Sequence, residues 1–213
     1  MRSEHAGPDA VLFDMDGTLV DTEGLWWQAT ASIAASLGRP LGAEDMPYVL
    51  GRTVEDVAAH LLTPAPSVPA LMTEVVRQLT DAFADLIEQG VKVTPGASEL
   101  LAELAATAIP TALVSASPRA IVELVLPRLG HPFDLVIANE DTARGKPYPD
   151  PYLEAARRLG TTPARCVAVE DSPTGIAAAT AAGCRVLVTS PEKGLPSLTH
   201  LLTANHPPEP NDR

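Results

Sequence analysis

Asp14 and Asp16 stand one residue apart at the end of the apolar run Val11-Leu12-Phe13, and Gly17 follows at once. Side chains alternate faces along a strand, so both carboxylates leave the end of such a strand on one side. Gly17 then lets the backbone turn tightly at little steric cost. Two carboxylates held together repel, and one takes up a proton unless a cation lies between them. Packing does not favour such a pair, which predicts a metal-assisted catalytic centre. Glu170 and Asp171 follow a second apolar run, Cys166-Val167-Ala168-Val169, while Ser115 and Lys146 add a hydroxyl and an ammonium. Several carboxylates converging on one edge form a hard-oxygen site for Mg²⁺, which keeps several waters and commonly holds substrate phosphate as well. Lys146 brings a compact positive charge suited to phosphate oxygens. An Asp beside such a cation can attack phosphorus to give an aspartyl-phosphate. A second Asp two residues on can protonate the leaving oxygen and later activate water. Each residue alone has an ordinary alternative, as a helix cap, a turn residue or a solvated charge. Their shared position at strand ends is what distinguishes them.

Five short apolar runs read as strands, at about 10–14, 111–115, 134–138, 166–170 and 185–189. Most are continuous Val, Leu, Ile and Ala, as expected for strands covered on both faces of a parallel sheet. Helical segments at about 97–107, 118–129, 151–160 and 173–182 alternate with them, which predicts a doubly wound, Rossmann-like α/β core with right-handed crossovers. Ser117-Pro118, Asp150-Pro151 and Ser172-Pro173 each pair an N-cap residue with proline at the first helical position. Ser117 and Ser172 mark the carboxyl edge of the sheet, where ligands bind in open α/β folds.

Residues 20–91 carry no convincing strand and read as helices at about 22–38, 53–62 and 70–89, with loops at Gly38-Arg39-Pro40 and Thr63-Pro64-Ala65-Pro66. Such an interval is too long for a simple crossover. It predicts an all-α cap at 21–91 over a core of 10–20 and 92–204, able to open and close over the site. The polar or proline-rich ends, 1–9 and 205–213, are expected to fray.

The chain resembles the haloacid dehalogenase superfamily of phosphotransferases, with a helical cap inserted after the first motif. The matching stretches are Asp14-Met15-Asp16-Gly17-Thr18-Leu19-Val20, Ser115-Ala116-Ser117, Gly145-Lys146-Pro147-Tyr148-Pro149-Asp150 and Val169-Glu170-Asp171-Ser172-Pro173-Thr174-Gly175. The resemblance implies that Asp14 is the nucleophile and Asp16 the general acid/base, and that Ser115, Ala116 and Lys146 hold the transferring phosphoryl group. It also implies that Mg²⁺ rests on Asp14, the backbone carbonyl of Asp16 and Asp171, with Glu170 in supporting contact. Dehalogenating members lack the second Asp, so Asp16 points away from that reaction. Phosphonate-cleaving relatives need a Schiff-base lysine in the cap, and the only lysine before Thr94 is Lys92, at the cap's exit.

Substrate choice falls to the cap. The opening Asp21-Thr22-Glu23-Gly24-Leu25-Trp26-Trp27 resembles sugar-phosphate phosphatases of the family, and Glu23 and Arg52 are the candidates to meet the substrate's non-reacting end. At least one of Trp26 and Trp27 is expected to pack the cap's own core. The expected activity is therefore Mg²⁺-dependent hydrolysis of a small phosphorylated metabolite, a sugar phosphate. A β-phosphoglucomutase-type transferase shares every core motif, and a non-catalytic phosphate-binding protein is the reading from a different class.

Composition sets the limits. A net charge of −12 over 213 residues argues against nucleic acid or an anionic membrane as partner, since both need a basic surface. Aromatics make up only 4%, so Leu, Val, Ile and Ala must fill the core. Cys166 and Cys184 lie in or beside apolar runs and read as buried, reduced thiols. His5, His60, His131, His200 and His206 show no ligand spacing. No stretch matches a membrane span or signal peptide, so a cytoplasmic enzyme is expected, a monomer by default, with a dimer left open.

Overall fold

The structure, a computed structural model, describes residues 7–63, 69–190 and 192–203. The first strand, β1 (Ala10–Phe13), ends just before Asp14. The chain then enters the cap through β2 (Val20–Asp21) and passes along α1 (Glu23–Ser36), a single 3₁₀ turn at Ala43–Asp45, α2 (Met46–Val49), α3 (Val54–Leu62) and α4 (Pro69–Gln89). It returns through β3 (Lys92–Val93) to α5 (Ala97–Ala105), β4 (Thr111–Val114), α6 (Arg119–Leu129) and β5 (Leu135–Ile137). The remaining α-helices and strands are α7 (Asp150–Arg158), β6 (Cys166–Glu170), α8 (Pro173–Ala182), β7 (Arg185–Val188) and α9 (Leu198–Thr203).

Five strands form one parallel sheet in the order β5-β4-β1-β6-β7. Alternation along β1 sorts its side chains. Val11 and Phe13 face a cluster with Leu100, Leu101 and Leu104 of α5 and Ile121, Val122 and Val125 of α6. Ala10 and Leu12 face Tyr152, Ala155 and Ala156 of α7 and Ala178 and Ala179 of α8. Burial on both faces is why these strands lack polar alternation. The chain leaves β1 toward β4 on one side and reaches β6 on the other, so the loops after β1 and β6 diverge at the carboxyl edge. This is the crevice where open α/β sheets place ligands.

The cap has its own apolar centre, with Ala34 of α1, Val49 of α2, Val57 and Leu61 of α3, and Val75 and Leu79 of α4. The lower turns of α1 and α4 behave differently. Ala29, Phe83 and Ile87 belong to the same cluster as Phe13 and Met15 under the sheet, so the base of the cap packs as part of the core.

Several local expectations change. The interval expected to lack strands begins with one, and a second follows it directly: Val20 pairs with Val93 and Asp21 with Lys92 in an antiparallel ribbon that carries the chain into and out of the cap. Two-residue strands offer no periodicity to detect. Ser172 caps α8 as expected, accepting the Gly175 amide at 3.1 Å. The other two Pro-marked starts differ, since α6 takes Pro118 itself as N-cap and α7 begins at Asp150, making Pro151 its second residue. Ser117 and Asp150 spend their side chains on other partners, Asp16 and Arg144. Asp9, within the segment expected to fray, is pinned by ion pairing with Arg165 at 2.6 Å and by its amide on the Arg165 carbonyl. Residues 1–6, 64–68 and 204–213, which include most of the expected proline loop and tail, lie outside the described residues.

Candidate active site

Asp14 continues the ladder one step past β1, its amide donating to the Val169 carbonyl at 3.0 Å. Its side chain thereby reaches the loop after β6. Lys146 donates to Asp14 Oδ1 at 2.6 Å and to Glu170 Oε1 at 2.6 Å, in a buried cluster. Thr18 donates to Asp171 Oδ1 at 3.1 Å. Oxygens from Asp14, Glu170 and Asp171 all lie within 4.8 Å of one another. Three carboxylates therefore meet one ammonium. Burial, then the Glu170 charge, pushes the Asp14 carboxyl well above its ordinary range, with Lys146 opposing. The same two causes raise Asp171 to about 6. Burial alone would lower Lys146, but Asp14 and Glu170 hold it above its usual value. Asp14 Oδ2 is buried and accepts no hydrogen bond among the described residues. An orphaned carboxylate oxygen within surplus negative charge fits a hard divalent cation and is costly without one.

The turn after Asp14 is shaped by close approach. Gly17 has φ +84°, and a Cβ there would stand 2.1 Å from Asp171 Oδ2. Gly17→Ala is expected to destabilise the protein by about 1–3 kcal/mol through this conformation. By displacing Asp171 it should also weaken Mg²⁺ binding about tenfold. Thermal melts with and without Mg²⁺ check both effects, and unchanged metal affinity would detach Asp171 from the cation.

Asp16 turns elsewhere. Oδ1 accepts from Thr22 at 2.9 Å, and Oδ2 accepts from Ser117 at 2.8 Å and Ser115 at 3.2 Å. Burial raises the Asp16 carboxyl, while these hydroxyls, Ser117 foremost, pull it back. Its carboxylate stands outside the Asp14, Glu170 and Asp171 group. The carboxylate of Asp16 is thus satisfied by hydroxyls.

A cavity of about 160 Å³ opens over both aspartates. Its core side includes Asp14, Asp16, Ala116, Lys146 and Asp171, and its cap side Glu23, Trp26, Arg52, Asp56 and Phe83. Trp26 donates Nε1–H to the Val49 carbonyl at 3.0 Å and packs edge-on to Phe83, with centroids 5.2 Å apart. At the mouth, Thr174 of the core donates to the Gly51 carbonyl of the cap at 3.3 Å.

A family profile described as haloacid dehalogenase-like hydrolase matches residues 8–183. The chain belongs to this family. Hexitol phosphatase B of Escherichia coli is 35% identical over 187 residues, covering 86% of this chain and 84% of that protein. The bifunctional riboflavin kinase/FMN phosphatase of Arabidopsis thaliana is 30% identical over 197 residues; the match covers 91% of this chain but only about half (51%) of that longer protein. The crystal structure of CbbY from Rhodobacter sphaeroides in complex with phosphate superposes with a TM-score of 0.77 at 32% identity, covering 86% of each chain.

Within this haloacid dehalogenase-like hydrolase, the expected residues Asp14, Asp16, Ala116, Lys146 and Asp171 all reach the cavity. Ser115 sits beside it, with its hydroxyl on Asp16. Glu170 is fully buried behind Lys146. Glu23 and Arg52 line the cap side as exposed residues, and Arg52 spends Nε on the Pro47 carbonyl at 3.1 Å. Trp27 packs against the cap's centre, and Trp26 both packs there and lines the cavity. Among the described residues, no histidine lines the cavity. Both cysteines are buried and free, and burial pushes their thiols up to about 11 for Cys166 and about 12 for Cys184. Sequence reasoning missed the roles of Thr22 and Tyr152. A threonine just before a helix reads as an N-cap, and a tyrosine on an amphipathic helix reads as core.

Proposed function

We propose that this hydrolase is a Mg²⁺-dependent phosphatase of a small sugar phosphate, working through an aspartyl-phosphate on Asp14. The observation that carries the reading is the division of the two aspartates. Asp14 lies against Lys146 with one oxygen unpartnered, whereas Asp16 is held apart by three hydroxyls. The similarity to hexitol phosphatase B supports a sugar phosphate as the substrate class.

Asp14, Asp171 and the backbone of Asp16 would hold Mg²⁺, with Glu170 behind them. When bound, the cation offsets the negative charge that phosphate brings to this acidic edge. Lys146 holds a phosphoryl oxygen and orients the ester. An Asp14 oxygen forms a bond to phosphorus as the ester P–O bond breaks, and the leaving oxygen takes its proton from Asp16. Asp16, raised by burial, is suited to hold that proton beforehand. Its carboxylate then takes a proton from water as the water oxygen attacks phosphorus. The Asp14–phosphorus bond breaks and phosphate is released. Glu23, Trp26 and Arg52 meet the sugar and choose it. We also infer a cytoplasmic monomer whose partners are small metabolites rather than nucleic acid or membrane. The net charge of −12 argues against nucleic acid and anionic membrane as partners.

A panel of phosphomonoesters that includes hexitol phosphates and glucose 1-phosphate tests the reading. Free phosphate is expected. Glucose 6-phosphate formed from glucose 1-phosphate would make the enzyme a mutase, and no turnover of any ester would remove the enzymatic reading.

Metal binding should also depend on pH. Without metal, Asp171 exchanges its proton near pH 6, above its ordinary 3.8. A carboxyl raised in the folded state holds its proton more tightly there than in the unfolded chain, so its contribution to stability falls as pH rises from about 4 through 6. At acid pH Mg²⁺ must displace that proton, while at neutral pH it meets a free carboxylate. The increase in Tm on adding Mg²⁺ is expected to be larger at pH 7.5 than at pH 5. An equal increase at both would contradict this assignment.

A further inference from the structure

Tyr152 is buried completely on the α7 face of the sheet, its ring within the cluster of Leu12, Ala155, Ala168 and Ala178. Its hydroxyl leaves that apolar setting and donates to Glu170 Oε1, the same oxygen that accepts Lys146 Nζ at 2.6 Å. The ammonium also sits 5.3 Å from the centroid of the tyrosine ring. Lys146 in turn reaches Asp14 Oδ1 at 2.6 Å.

We infer that Tyr152 is a positioning residue for phosphoryl transfer: its hydroxyl orients Glu170, and its ring and Glu170 together aim the Lys146 ammonium at Asp14. The inference rests on the phosphatase reading. A lysine head on a four-carbon stem is mobile unless its partners are fixed. Among the described residues, Glu170 Oε2 has one weaker partner, the Ser172 hydroxyl at 3.3 Å, so that contact holds the carboxylate poorly. The phenol supplies a neutral donor that fixes Oε1 without adding a second positive charge. Packing alone would be served by phenylalanine, which fills the same ring space without burying a hydroxyl.

The test compares wild type, Tyr152→Phe, Glu170→Gln and the double variant on p-nitrophenyl phosphate, with calorimetric binding of orthovanadate in Mg²⁺. For Tyr152→Phe, kcat should fall about tenfold with KM changed less than about twofold, and orthovanadate should bind about tenfold more weakly. In the Glu170→Gln background the further loss should be under about twofold, because Tyr152 acts through Glu170. A purely structural tyrosine would instead lower Tm and leave vanadate affinity unchanged. Wild-type kcat and vanadate affinity in Tyr152→Phe, or equal losses in both backgrounds, would overturn the inference and leave the phosphatase reading standing. A wild type that neither turns over the ester nor binds orthovanadate overturns both. If Glu170→Gln does not fold, Tyr152→Phe alone still decides.

Discussion

Asp14→Asn is expected to lower turnover by about 10⁴-fold or more while raising the melting temperature of the metal-free protein. The first half follows from its role. An amide is a poor nucleophile towards phosphorus, and losing the nucleophile removes the covalent route outright. The second half follows from the electrostatics. Burial and the Glu170 charge both work against the ionised Asp14 carboxylate. Asparagine can still offer its carbonyl oxygen to Lys146, which keeps Glu170 as a full counter-charge at 2.6 Å. Its neutral amide no longer repels Glu170 and Asp171. A gain of about 1 kcal/mol corresponds to roughly 2–4 °C for a chain of this size. Melts in chelator and assays in Mg²⁺ measure the two halves separately. An active variant would end the nucleophile assignment, and a lower Tm in chelator would mean that the Lys146–Asp14 attraction outweighs the repulsion. Stability given up at a functional site is a common pattern in enzymes.

Asp16→Asn should slow hydrolysis of a sugar phosphate by about 10²–10⁴-fold, the range for loss of a positioned proton donor. A nitrophenyl ester should respond differently. Its leaving group departs without protonation, so transfer to Asp14 proceeds, but water then finds no base to activate it. The variant should release one equivalent of nitrophenol in a burst and retain phosphate on Asp14, detectable by intact mass. Equal slowing of both esters with no burst would remove Asp16 as the acid. The hydroxyl cage from Thr22, Ser115 and Ser117 is not expected to collapse, since a side-chain amide oxygen still accepts two of its three bonds.

Much of this architecture is legible in the sequence. Continuous apolar runs at β1, β4 and β6 are signatures of strands covered on both faces, and five strands alternating with helices follow from the pattern. Asp14, Lys146 and Asp171 were legible because each stands just past or between such elements, where side chains must leave the sheet. Local capping is less legible in the sequence. Ser117 looks like a helix cap in sequence, yet its hydroxyl serves Asp16, which lies 101 residues earlier. Asp150 likewise pairs with Arg144, both guanidinium contacts at 3.0 Å, instead of capping α7. The β2–β3 ribbon was invisible because two residues cannot display a period.

The sequence by itself determined which residues stand at the carboxyl edge, because hydrophobic periodicity reports where strands end and which faces are covered. Only the tertiary structure decided how the edge divides its labour. Two aspartates one residue apart received different environments, Asp14 among Lys146, Glu170 and Asp171, Asp16 among hydroxyls from the cap hinge and the loop after β4. It also turned Tyr152 from a core residue into the support of the buried cluster. The physical reason is that a buried polar group must find its partner wherever the chain brings one within about 3 Å. Those partners are set by the packing of distant segments, which a linear pattern does not record.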